Sequence, residues 1–226
     1  RAEILGAPLK QNVKLVIRES KRTPFFVTTK ADFEVLLGDK GVVNEFAGNT
    51  IPKSWEEAVQ KVLGMAEEPL VVMIVGAIDV GKTSFCTYMI NMALRAKRRV
   101  TFIDADLGQS DVGPPSTIGS CEITKPTRDP FEIGAERVCF VGVTSPSGSV
   151  GEVVEGIAGM TEKALKDGAD LLVVNTDGWI EGEDATRYKL TLVKRVKPRM
   201  LIGLEEKNEL TFLMGALTEI PKIAIE

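Results

Sequence analysis

The residues Gly76-Ala77-Ile78-Asp79-Val80-Gly81-Lys82-Thr83 satisfy the spacing G-x-x-x-x-G-K-[ST] at every fixed position. Those residue types at that spacing solve one chemical problem, the holding of a chain of phosphates. The glycines let the backbone close around anionic oxygens so that successive N–H groups point inward. Lys82 can reach the outer phosphates as a point charge, and the Thr83 hydroxyl can hold Mg²⁺ or another divalent cation. A helix starting at this point, through Ser84, adds a partial positive charge at its N-terminus. Residues 76–84 are therefore the candidate nucleotide-binding residues, for ATP or another nucleoside triphosphate. Such a pattern arises by chance in on the order of 1% of chains this long, so the context decides. An apolar run precedes it at 70–75, and Phe85, Tyr88, Met89, Met92, Ala93 and Ala96 recur after it at helical spacing. A chance glycine turn with a stray lysine would lack that setting.

A second group lies in VTFIDADLGQSDVGPPS, which ends an apolar stretch in Asp104, Asp106 and Gln109. A carboxylate at the end of a strand next to a phosphate loop is where a divalent cation or its waters are held. A second one, two residues on, could accept a proton from an attacking hydroxyl. The alternative is that Asp106 and Gln109 cap a turn. Gly113-Pro114-Pro115 stiffens the chain as it leaves. Residues 141–148 offer hydroxyls and amides for an acceptor groove, or form a plain helix N-terminal turn. Asn175-Thr176-Asp177-Gly178-Trp179 puts an indole on a loop after another strand. An indole so placed can stack on a base, or pack against the next helix.

The elements that must position these groups are legible as a pattern. From residue 67 onward strands and helices alternate, with strands expected at 70–75, 100–104, 137–143, 171–175, 200–203 and 222–225 and helices at 150–166, 184–196 and 208–217. The strands are continuously apolar, as in a parallel sheet covered on both faces. Right-handed crossovers then give a doubly wound, mostly parallel α/β domain over 67–226 with its site at the strand C-terminal ends. Residues 1–50 read as a small all-β domain with strands at 3–6, 13–18, 25–28, 33–37 and 42–46. A connecting helix at 51–66 opens on Pro52, with Ser54 and Glu57 spaced as a capping box, and Trp55 belongs to its apolar stripe.

Composition narrows the chemistry further. The chain has 226 residues, 44% hydrophobic and 27% charged, with net charge −4, which argues against a broad nucleic-acid-coating surface. Histidine is absent, so acid–base work falls to carboxylates or lysine. Three cysteines, Cys86, Cys121 and Cys139, lack metal-like spacing and point to reduced thiols in a cytoplasmic setting, or a nuclear one in a eukaryote. No apolar run is long enough to span a membrane and no signal peptide is visible. The chain opens on Arg1 rather than Met, as a fragment would.

Taken in order, GAIDVGKTS, DADLGQSDVGPP, VGVTSPSG and NTDGW resemble the polynucleotide 5′-hydroxyl kinase family, which includes RNA kinases of tRNA splicing, rRNA processing and pre-mRNA cleavage complexes and archaeal relatives. The resemblance runs from about residue 67 and extends weakly to the first six residues. It implies a P-loop NTPase that transfers the γ-phosphate of ATP to the 5′-hydroxyl of RNA or DNA, with RNA-processing proteins as partners. Lys82 and Thr83 take the phosphate-loop roles. Asp104, Asp106 and Gln109 match D-x-D-x-x-Q, implying metal handling, by Asp104 with Thr83, and activation of the hydroxyl. Thr176, Gly178 and Trp179 match the T-x-G-W clasp that holds the acceptor nucleotide. The family's lid arginines, and any further domain, are expected beyond the strand at 222–225, and the sequence in hand stops at Glu226. Arg195 and Arg199 have the lid spacing but sit at a helix end around Pro198. That departure supports an alternative, an ATP-binding scaffold of an RNA-processing complex with little or no kinase activity. A switch GTPase is disfavoured because no N-K-x-D-like motif occurs.

Overall fold

A computed structural model describes residues 1–17, 21–65 and 69–226. Near the start, β1 (Ala2–Ile4), β2 (Ala7–Pro8) and β3 (Phe25–Val27) pair antiparallel in the order β2-β1-β3. The β1–β2 turn passes through Leu5 and Gly6, both at positive φ. This sheet is smaller than expected. Residues 13–17, 33–37 and 42–46 form no strands, and Arg18, the last residue of the expected strand 13–18, lies outside the described residues. Leu36 is 89% and Val42 75% exposed. An alternating apolar pattern forms a strand where a neighbouring strand is at hand, and these segments pair with none, although Leu15 packs on the core and Phe33 meets Phe25 edge-on.

α1 (Lys53–Leu63) buries Trp55, Ala58, Val59 and Val62, the expected stripe. The capping box does not form. The Pro52 carbonyl accepts from the Trp55 and Glu56 amides, and Ser54 Oγ donates to the Glu226 carbonyl at 3.1 Å. The expected boundary between the connecting helix and the nucleotide domain, at residues 66 and 67, lies outside the described residues.

The central sheet is assembled from β4 (Leu70–Gly76), β5 (Val100–Ala105), β6 (Thr117–Ile123), β7 (Arg137–Phe140), β8 (Leu171–Thr176), β9 (Met200–Leu204) and β10 (Lys222–Ile225). Its order is β10-β9-β4-β8-β5-β6-β7. The first five of these are parallel, while β6 pairs antiparallel with both β5 and β7. The α/β expectation holds for the parallel part, and the other edge corrects it twice. β6 was not expected, because Thr-Ile-Gly-Ser-Cys-Glu-Ile is neither continuously apolar nor alternating. The strand expected at 137–143 is shorter and pairs antiparallel with β6. The loop at 106–116 contains no helix, and a chain returning without a helical crossover pairs antiparallel.

Helices α2 (Lys82–Arg95), α3 (Val150–Lys166), α4 (Gly182–Val196) and α5 (Thr211–Ala216) cover the sheet. α1, α2 and the N-terminal strand residues Ile4 and Leu5 share one apolar cluster with one face of the sheet. α3, α4 and α5 pack on the other face. Asn91 of α2 is buried and donates to the carbonyls of Leu5 (2.8 Å) and Thr127 (2.7 Å), and Arg95 pairs with Glu3, so the small sheet is fastened to α2. Among the described residues no helix is long and apolar enough to cross a membrane.

Candidate functional site

β4 is buried along its whole length and delivers the phosphate loop to the C-terminal edge of the sheet. Asp79 (φ 63°) and Gly81 (φ 96°) hold left-handed backbone, the alternation that turns consecutive N–H groups into one concavity. Gly76 has no room for a side chain, since a Cβ would lie 2.5 Å from the Leu204 carbonyl oxygen. Trp55 lies beneath Gly81 and meets Phe85 edge-on at 5.2 Å, so the ring is part of the core that supports the loop. Lys82 is 6% exposed and its Nζ donates to the Ala77 carbonyl at 2.6 Å. Burial pulls the Lys82 ammonium below its ordinary range, and the Asp106 carboxylate is the largest influence opposing that. A cavity of about 60 Å³ opens beside Thr83, Ser84 and Thr87, walled by Leu5, Ile17 and Arg128.

Asp104 stands differently from the expectation. β8 lies between β4 and β5, so Asp104 is one strand removed from the phosphate loop, abreast of Asn175 and Ile74. Its carboxylate is 1% exposed and meets five donors: Oδ1 accepts from the Asp106 amide and Asn175 Nδ2, and Oδ2 from Ser110 Oγ and the Asp111 and Val112 amides. Burial pushes its pKa up to about 6 against those hydrogen bonds. With both oxygens engaged, Asp104 anchors the 106–112 loop, and metal handling or catalysis by it, as expected, would require one of these donors to give way. Asp106 is half-buried, and one of its oxygens accepts from the Gly108 and Gln109 amides. It does cap a turn, yet its second oxygen accepts no hydrogen bond among the described residues. Gln109 is exposed.

The clasp segment rests directly on the phosphate loop. A Cβ on Gly178 would lie 2.8 Å from Ile78 N and 2.5 Å from its Cγ1. Trp179 is half-buried and stacks on Tyr188 of α4 with ring centroids 5.7 Å apart. Thr176 is fully buried; its hydroxyl donates to the Ile74 carbonyl at 2.8 Å and accepts from Lys189 Nζ at 3.1 Å. Its side chain therefore serves the β8–β4 junction.

The sequence reading missed a buried ion pair. Lys189 Nζ lies 3.0 Å from Asp177 Oδ2, and Tyr188 Oη donates to the same oxygen at 2.7 Å. Burial lowers the Lys189 pKa, opposed by Asp177, and raises that of Tyr188, with Asp177 adding to the rise. A lysine inside the helical pattern gives no sign of its burial. Residues 145–148 form a short helical turn in which Ser145 Oγ accepts from the Ser147 amide, so this segment is a helix entry. Arg195 bonds Glu155 and Glu162 of α3, away from any lid role.

The donor set at this edge fits a hard divalent cation. The Thr83 hydroxyl and the second Asp106 oxygen are both oxygen donors that make no hydrogen bond among the described residues, the coordination such ions take.

Residues 76–226 match the family model described as mRNA cleavage and polyadenylation factor CLP1 P-loop. A polyribonucleotide 5′-hydroxyl-kinase of Pyrococcus abyssi is 31% identical over 172 residues, covering 76% of this chain and 48% of that protein. A CLP1 homolog of Brugia malayi is 30% identical over 203 residues, covering 81% and 47%. Among solved structures, the wild-type Clp1p–Pcf11p complex superposes with TM-score 0.58 at 15% identity, over 74% of this chain and 46% of the other, a likeness of fold. The chain spans about half the length of the curated relatives it matches.

Proposed function

The chain belongs to the CLP1 P-loop family, and from that premise we propose that it is an ATP-dependent polynucleotide 5′-hydroxyl kinase acting on RNA ends. One observation carries the reading: the phosphate loop with Lys82, the Asp106 turn and the Gly178–Trp179 segment follow three neighbouring parallel strands at one edge of the sheet. In the reaction a bond forms between the RNA 5′ oxygen and the γ-phosphorus, the bond from that phosphorus to the β–γ bridging oxygen breaks, and ADP leaves. Lys82 offsets charge on the outer phosphates once it exchanges the Ala77 carbonyl for a phosphate oxygen. Asp106 takes the proton of the attacking hydroxyl, and exposed Gln109 orients that hydroxyl. Asp104 keeps the 106–112 loop in place. A divalent cation would be held by the Thr83 hydroxyl and would supply charge neutralisation at the phosphates, which leaves the second Asp106 oxygen for the proton. Gly178 and Trp179 hold the acceptor base, and Thr176 steadies them from below.

The three-part division at 1–50, 51–66 and 67–226 enters this reading with the nucleotide site in the last part. The compartment is the cytoplasm, or the nucleus in a eukaryote, and RNA-processing proteins are the partners. Binding to DNA ends belongs to the same chemistry.

The test is incubation with γ-labelled ATP, Mg²⁺ and oligoribonucleotides bearing either a 5′-hydroxyl or a 5′-phosphate. Label is expected on the hydroxyl substrate alone. Nucleotide binding with no labelled product favours instead an ATP-binding scaffold, the second reading that membership of the CLP1 P-loop family leaves open. Trp179→Ala is expected to weaken RNA binding by about 1–3 kcal/mol, the range for one base–aromatic stack, with ATP binding within about twofold. Equal RNA titrations for the two proteins contradict the clasp assignment.

A further inference from the structure

Lys189 is fully buried in α4, a position where a charge is costly unless every proton finds an acceptor. All three do: Thr176 Oγ1 at 3.1 Å, the Asp177 carbonyl at 3.0 Å and Asp177 Oδ2 at 3.0 Å. A buried ion pair of this kind adds little stability over apolar packing of similar volume. What it provides here is position. The ammonium grips both the carbonyl and the carboxylate of Asp177, while the other carboxylate oxygen accepts the Trp179 amide at 3.0 Å. The peptides on either side of Gly178 are thus fixed from the α4 side. From the opposite side Gly178 abuts Ile78, a phosphate-loop residue whose own side chain is 61% exposed and so has little else to hold it. The Thr176 hydroxyl, which Lys189 also grips, donates to Ile74 in the strand that enters the phosphate loop.

We propose that Lys189 is a positioning residue that holds the Asp177–Trp179 turn against Ile78 of the phosphate loop, so that nucleotide and RNA acceptor bind cooperatively. The proposal rests on the kinase reading, because it names the acceptor of that same site. Phosphates bound by the loop amides order Ile78, and an ordered Ile78 braces the turn that receives the acceptor. Linkage requires the reverse effect to be equal in size.

The experiment measures the affinity of AMP-PNP with and without a 5′-hydroxyl oligoribonucleotide, and the affinity of that oligonucleotide with and without AMP-PNP. For the parent, each ligand is expected to tighten the other by about tenfold, within the usual range of coupling between sites. In Lys189→Met the factor falls to near one, while AMP-PNP alone binds within about threefold of the parent. Because Lys189→Met leaves the Asp177 carboxylate buried without its cation, Asp177→Asn/Lys189→Met is measured beside it, and the same loss of coupling is expected. Tyr188→Phe removes a donor to Asp177 but leaves all three Lys189 contacts, and it keeps the factor. Parental coupling in either lysine variant overturns the proposal, and so does equal loss in Tyr188→Phe, which marks general loosening. A parent that binds both ligands without coupling overturns the proposal and leaves the kinase reading standing. A parent that binds AMP-PNP but no RNA overturns both.

Discussion

Lys82→Met is expected to slow phosphoryl transfer to the RNA 5′ end by about 10²–10³ while leaving the fold intact, the loss typical of removing one preorganised electrostatic contact to the reacting group. Two features separate the chemistry from the folding. Among the described residues the Lys82 ammonium has a single hydrogen bond, to the Ala77 carbonyl, and that carbonyl belongs to a solvent-bordering loop where water can replace the lost donor. An unbranched methionine fills the space of the lysine stem on α2, so the cost in stability stays near that of one hydrogen bond, about 1 kcal/mol. The charge has no substitute. Burial already works against the protonated form and Asp106 supports it, so the ammonium is poised where a phosphate chain would repay its desolvation. Single-turnover rates at saturating ATP and RNA, taken beside a thermal melt, measure both quantities. A variant that melts with the parent and turns over at the parental rate removes the phosphate loop from the mechanism.

The phosphate loop was legible because its chemistry is local, with every residue that shapes it within one short stretch of chain. α3 at 150–166 and β10 at 222–225 were legible for a related reason, since continuous apolar or amphipathic runs carry their own period. Contacts made across the sheet were not legible. Nothing in the spacing of Asp104 shows that β8 intervenes between its strand and the phosphate loop, or that its carboxylate is ringed by donors from Asn175 and the 106–112 loop. Thr176 looks like an exposed strand-end hydroxyl until β4 is laid beside it. Lys189 reads as one more cation on a charged helix, because burial of a lysine is decided by a carboxylate twelve positions back in the chain. The first fifty residues failed in the opposite sense, since alternation there predicted strands at 33–37 and 42–46 that have no neighbour to pair with.

The anchoring role of Asp104 has a signature in pH. Its carboxyl titrates at about 6 in the folded chain, against an ordinary value of 3.8, because burial disfavours the charge more than its five donors favour it. Between those two values the folded chain keeps a proton that the unfolded chain has released. The favourable contribution is therefore complete below about pH 4 and is lost as pH rises through 6, by up to about 3 kcal/mol. Histidine is absent, so no imidazole titration obscures that window. Asp104→Asn keeps one acceptor oxygen for the Asp111 and Val112 amides. Its new NH₂ can face Asn175, whose buried Oδ1 has no partner among the described residues and can accept after an amide flip, while the Asp106 amide loses its acceptor at a cost that does not vary with pH. That variant should hold its stability flat between pH 4 and 7, where the parent declines. Asp104→Ala is expected to behave otherwise. It strands the amides of the loop without an acceptor, each costing about 1–3 kcal/mol when buried, and it should lose hydrogen-exchange protection at Asp111 and Val112 together with most transfer activity, because Asp106 and Gln109 ride on the loop that is released. Denaturant melts of the three proteins at pH 4, 5, 6 and 7 decide the matter: parallel curves for parent and Asp104→Asn would mean that the carboxylate is charged and accommodated throughout, and that the loop is held by contacts other than these.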